Sequence, residues 1–176
     1  MTRLTLIAAL AASASLAGCT SMSEMPTEPV GSATLSLASG APAGTVQLMD
    51  GGDGLSLAVA VTGIPAGTHG FHLHTTGRCT APDFTSAGGH LNPASKEHGK
   101  ENPAGSHFGD LPNLVIGSNG MATTTVELDG TRQQAMAWLF DADGTAIVIH
   151  ADPDDYRSDP TGNAGSRIAC GVFERS

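Results

Sequence analysis

The sequence predicts an all-β domain, an eight-stranded antiparallel Greek-key sandwich or flattened barrel with two long functional loops. Three observations carry this reading. Short runs of alternating apolar and polar residues recur from residue 31 onward, the period-two signature of half-buried strands. Turn residues, Asp-Gly pairs among them, break these runs in a chain with 23 glycines and 10 prolines. Long helical periodicity is missing, so no crossover helix is at hand to join parallel strands. The 176 residues are about what one domain needs to bury a single core.

A different composition precedes the domain. "MTRLTLIAALAASASLAGCTS" sets one positive charge, Arg3, before an apolar run too short to span a bilayer, which ends in small residues ahead of Cys19. Residues 1–18 therefore read as a signal peptide. "LAGC" resembles the lipobox of bacterial lipoproteins, which implies cleavage before Cys19 and acylation of that cysteine with enough chains for stable anchoring. Residues 19–32 are poor in apolar residues and rich in Ser, Pro and Glu; they read as a lipidated flexible tether, leaving 33–176 as the folded domain. Met22 and Met25 in the tether read as inert. The expected location is exported and periplasmic, at a membrane held through Cys19. Thr20, rather than aspartate, follows that cysteine, which favours the outer membrane. With Cys19 set aside, Cys79 and Cys170 are an even pair in an oxidising compartment, and a disulfide between them is expected.

The strands follow in order: "SATLSLAS" and "GTVQLM", then after "DGGDG" the run "LSLAVAVTGI", then "THGFHLH", "MATTTVEL", "AMAWLF", "TAIVIH" after "DADG", and "RIACGVF" last. Segments 75–120 and 151–167 carry no strand pattern. Unstructured loops of such length inside a compact domain are usually functional.

The histidines cluster in and around these loops. In a strand "GFHLH", His72 and His74 project from one face with Leu73 opposite, their Cα atoms about 6–7 Å apart by strand rise, close enough to share a metal ion. His90 in "SAGGHLNP", His98 in "SKEHGK" and His107 in "GSHFGDLPN" lie in the first loop, and His150 ends the strand "TAIVIH". Neutral imidazole suits both zinc and copper, and Asp110, three residues after His107, suits zinc. Seven candidate ligands result, one short of two four-coordinate ions unless one is shared.

The blocks "GFHLHTTGRC", "TSAGGHLNP", "HFGDLPNL", "VIHADPDD" and "GNAGSRIACGVF", in this order, resemble the copper/zinc superoxide dismutases in their bacterial exported form. The resemblance covers most of residues 44–173. It implies copper on His72, His74, His90 and His150, and zinc on His90, His98, His107 and Asp110, with His90 bridging both metals as an imidazolate. Asp154 matches the aspartate that ties a copper ligand to a zinc ligand through their free ring nitrogens, Arg167 matches the arginine beside copper, and Thr161 matches a residue of the channel rim. His69 matches a non-ligand histidine. The implied activity is dismutation of the superoxide anion, with Arg167 docking the anion and His90 lending a proton.

Composition bounds the partners. Without Arg3 the chain opposes seven basic residues to 17 acidic ones, a formal charge of −10, which speaks against nucleic acid and requires any steering of an anion to be local. Segment 151–166 holds Arg157 but no lysine, so Lys96 and Lys100 in the zinc loop are the steering candidates. Bacterial members include monomers and homodimers, and the sequence leaves that choice open. A copper-delivery domain on the same fold would typically lack a ligand or the arginine, and a zinc hydrolase would need a free general base beside the ligands; this sequence keeps the full set and offers no spare base.

Overall fold

The computed structural model describes residues 29–176 apart from Asp53. The signal peptide, Cys19 and most of the tether lie outside the described residues. Among the described residues nine strands form: β1 (Pro29–Leu37), β2 (Pro42–Asp50), β3 (Leu55–Val61), β4 (Gly67–His69), β5 (Phe71–His74), β6 (Leu114–Ile116), β7 (Ala122–Glu127), β8 (Ala146–His150) and β9 (Arg167–Arg175). β1 already pairs with β2 at Pro29, so the sheet starts ahead of residue 33.

Seven strands make one sheet in the order β5-β8-β9-β1-β2-β3-β7, and β4 pairs with β6 in a second; every pairing is antiparallel. Alternation does in β1 to β3 what the sequence suggests: Ala33, Leu35, Val46, Leu48, Leu57 and Val59 turn inward while their neighbours face outward. β5 and β8 are buried on both faces. Phe71, Leu73, Ile147 and Ile149 join the main core. On the other face Ala146 and Val148 pack with Phe84, Ala87 and Cys170, beneath the loop that follows β5. The loops thus supply the second layer that the outer face of these strands requires.

Three expectations need correction. "AMAWLF" is not a strand but most of helix α1 (Arg132–Leu139). Thr131 and Gln134 close a capping box, with the Gln134 N–H on the Thr131 hydroxyl at 3.3 Å and the Thr131 N–H on Gln134 Oε1 at 3.2 Å. That start signal outweighs two alternating aromatics. "THGFHLH" is not one strand: it breaks at Gly70, whose N–H leaves both ladders for the Asp152 carbonyl at 2.8 Å, so β4 and β5 fall in different sheets. Segment 75–120 does contain a strand, the three-residue β6, paired with β4.

Candidate metal centre

The free edge of β5 positions the site. Leu73 donates its N–H to the Gly109 carbonyl and accepts the Leu91 N–H, and Thr75 donates to Gly89, so two stretches of the long loop are sewn along one strand. Isolated bridges set His72 opposite Asp110 and His74 opposite His90. Only glycine fits at 109, because a Cβ there would overlap the Leu73 carbonyl and crowd the Leu91 nitrogen. The period of two places His72 and His74 on the outer face, and β8 brings His150 alongside.

All six of these histidines and Asp110 are buried, and they fall into two groups that share His90: His72, His74, His90 and His150, and His90, His98, His107 and Asp110. Each ring's proton is placed by its partner. His74 Nδ1–H donates to the Gly88 carbonyl at 2.9 Å and His150 Nδ1–H to Gly165 at 3.2 Å, so both turn Nε2 lone pairs inward, 3.5 Å apart. His72 Nε2–H donates to Asp154 Oδ2 at 2.8 Å, which leaves its Nδ1 facing the same space. His72 Nδ1, His90 Nε2 and His98 Nδ1 are buried without a hydrogen-bond partner among the described residues. Several buried lone pairs converging with no proton among them are costly unless a cation takes them, so the donor set fits a metal ion.

The second group fits one as well. Asp110 Oδ1 lies 2.9 Å from His90 Nδ1, 3.0 Å from His98 Nδ1 and 3.1 Å from His107 Nδ1. One oxygen cannot accept from three rings in good geometry, and His98 Nδ1 does not meet hydrogen-bond geometry. The second oxygen, Oδ2, is already taken by the backbone N–H groups of Gly99 and His107, both at 2.9 Å. A carboxylate oxygen with three imidazole nitrogens is a zinc-type donor set. A third group, His72, His98 and Asp154, has a different account: both rings donate Nε2–H to this one carboxylate, His98 at 3.0 Å. Gly162, at φ +62, covers that contact where a side chain would collide with it.

Electrostatics follow burial and partners. Burial, helped by neighbouring rings, pulls His90 down to about 4 and His150 down to about 3, and holds His74 well below its ordinary value. Burial opposes charge on His98 too, but the Asp110 and Asp154 carboxylates outweigh it and raise that ring to about 9. Burial would raise both carboxyls; the histidine hydrogen bonds prevail and hold Asp110 and Asp154 far below the carboxylate range.

Arg167 opens β9 opposite His150. Its two terminal nitrogens donate to the carbonyls of Phe84 at 2.7 Å and Gly88 at 2.6 Å, and the guanidinium lines an open cleft of about 490 Å³. Gly88 O thereby serves both Arg167 and His74. The Cys79–Cys170 disulfide forms, tying this loop to β9.

The family model described as copper/zinc superoxide dismutase matches residues 42–173. The chain belongs to the copper/zinc superoxide dismutases. It is 42% identical over 134 residues to superoxide dismutase [Cu-Zn] 1 of Aquifex aeolicus, covering 74% of this chain and 79% of that one. With the Caulobacter vibrioides superoxide dismutase [Cu-Zn] it shares 40% over 141 residues, 77% and 80% of the two chains. The crystal structure of a SOD-like protein from Bacillus subtilis superposes with a TM-score of 0.74 at 37% identity, covering 80% of this chain and 96% of that one. As a superoxide dismutase the chain uses copper and zinc, and its two histidine groups fit that pair.

Other expected residues stand apart. Thr161 is exposed and is absent from the lining of the Arg167 cleft; its carbonyl accepts the Ala164 N–H within a turn. His69 is buried with its ring nitrogens on the His150 and Pro65 carbonyls and belongs to neither group. Lys100 pairs with Asp129 at 3.5 Å, and Arg157 with Glu101 at 2.6 Å. Sequence reasoning missed Asn113, whose amide embraces the Asp154 backbone with two bonds of 2.9 Å, and Tyr156, whose hydroxyl accepts the Asn113 N–H at 2.8 Å. Asn113 stood inside a quoted block, "HFGDLPNL", yet an amide that grips backbone leaves no pattern of its own.

Proposed function

We propose that His72, His74, His90 and His150 hold copper, that His90, His98, His107 and Asp110 hold zinc, and that the chain removes superoxide in the periplasm from a membrane anchor at lipidated Cys19. One observation carries the metal assignment: the shared ring of His90 turns an unpartnered Nε2 toward the all-histidine group and Nδ1 toward Asp110. Four imidazole nitrogens suit copper, and a carboxylate in the other group suits zinc.

Copper, when bound, supplies the one-electron couple by which one superoxide is oxidised to dioxygen and a second, with two protons, is reduced to hydrogen peroxide; zinc adds charge without redox change. The residues do the rest. Arg167 has its guanidinium fixed by two backbone carbonyls, and its remaining N–H groups dock a small anion in the cleft. His90 gives and regains a proton at Nε2 while Nδ1 stays on the Asp110 side. Asp154 keeps His72 and His98 in the tautomers whose Nδ1 atoms face the two groups.

His150→Ala should lose copper and dismutation while retaining zinc. Arg167→Ala should keep both metals, lose activity and respond less to azide. Full activity in His150→Ala, measured alongside metal content before and after chelation, overturns the copper assignment, and full activity in Arg167→Ala overturns the docking role. Cys19→Ala should abolish acylation, read as loss of fatty-acid labelling; a wild-type protein that takes up no labelled acyl chain refutes the anchor. A copper-carrier reading would be favoured instead by metal-loaded wild-type protein that holds copper yet shows no dismutation.

A further inference from the structure

The cleft beside Arg167 is lined by Pro82, Asp83, Thr85, Gly165, Ser166 and Arg167. Two of these are charged, and their signs are opposite. A channel that admits an anion has thus placed a carboxylate next to its docking cation. We propose that Asp83 determines the anion specificity of the channel: it cancels the long-range pull of Arg167 so that doubly charged anions gain no advantage over small singly charged ones. This rests on the docking role given to Arg167 above and deepens it.

Three observations support the role. Asp83 Oδ1 accepts the Thr85 N–H at 3.0 Å and the Thr85 hydroxyl at 2.9 Å, so the side chain is held in place while Oδ2 has no such partner among the described residues. Those Thr85 bonds, with a smaller contribution from Arg167, keep the exposed carboxyl below its ordinary value and therefore ionised at neutral pH. Finally, the two lysines expected to steer an anion stand elsewhere: Lys100 pairs with Asp129, and Lys96 lines a separate cleft with Trp138 and His107.

The consequence is quantitative. Coulomb energy scales with ligand charge, so whatever factor Asp83 imposes on a monoanion is squared for a dianion. Short-range hydrogen bonds from Arg167, which do not scale in this way, then decide what stays.

The test uses Asp83→Asn, in which the amide oxygen still accepts from Thr85, on protein loaded with copper and zinc. Azide affinity is read from its visible absorption, and sulfate affinity from competition with azide at constant ionic strength. Azide should tighten about twofold and sulfate about fourfold in dilute buffer, both gains shrinking as salt is raised. Asp83→Glu should restore both values. Equal factors for the two anions, or no change in either, overturn the role of Asp83. Azide binding that Arg167→Ala leaves untouched overturns instead the docking role on which it depends.

Discussion

Removing the disulfide should cost about as much as truncating a large, fully buried core side chain. Cys79 and Cys170 are 91 residues apart, and treating the bridge as an entropic constraint on the unfolded chain gives a loss of about 4.6 kcal/mol at 25 °C for a loop of that length. The paired variant Cys79→Ala with Cys170→Ala avoids free thiols and buries no new polar group. For a chain of this size the loss corresponds to a fall in Tm of about 10–15 °C. The damage should be local as well. β9 remains held by β1 and β8, so the released freedom goes to the loop that carries the Phe84 and Gly88 carbonyls, and with them the anchor of Arg167. The assay is urea unfolding of the metal-free protein, followed by circular dichroism, because bound metals would stabilise both versions and mask the difference. A variant within about 1 kcal/mol of wild type would refute the reasoning.

Asp110→Ala should release zinc and free the loop from His90 to Asp110, since one carboxylate meets three rings and two backbone N–H groups; zinc content staying at one per chain would sink the assignment. Asp154→Asn sets an amide N–H against a ring N–H at His72 or His98, and zinc affinity, measured by competition with a chelator, should fall on the order of 10–100-fold; an unchanged value would show that the tautomers are held by something else. His98 is raised above its ordinary 6.5 to about 9, so in the metal-free protein it stays protonated through neutral pH. Zinc uptake at pH 7.5 should therefore release about one proton, read by calorimetry in buffers of different ionisation heat, and the release should fade as pH rises through that value. By the same sign, the stability that charged His98 contributes is complete below 6.5 and is lost as pH climbs through about 9.

Side chains that carry chemistry were legible in the sequence, and backbone that positions them was not. His72, His74, His90, His98, His107, Asp110 and His150 could be found because imidazole and carboxylate are rare, specific donors, and the structure gathers all seven. Gly88 and Phe84 act through carbonyl oxygens, which every residue has, so nothing in their identity announced that they hold Arg167. Helix α1 was readable but misread: Thr131 and Gln134 spell a capping box, and the Ala- and Gln-rich run behind it favours helix, whereas Trp138 and Phe140 suggested a strand. What Trp138 does instead is pack edge-on against Phe108, beside the zinc loop, with ring centroids 4.9 Å apart. β6 escaped notice because three residues make no period, and only β4 across from it makes it a strand.

The two carboxylates also tie the two groups to one another. His72, Asp154, His98, Asp110 and His90 form one unbroken chain of contacts of 2.8–3.0 Å, running from the first group into the second and back to the shared ring. The Nε2–H groups of His72 and His98 already rest on separate oxygens of Asp154, so the two Nδ1 atoms are held toward their groups in advance, and an ion bound by one ring would stiffen the carboxylate that orients the other. Coupling of this kind is reciprocal: if zinc tightens copper by some factor, copper must tighten zinc by the same one. Should that factor exceed one, a half-loaded molecule would be disfavoured relative to empty and full ones; zinc affinity measured with and without copper reads it directly.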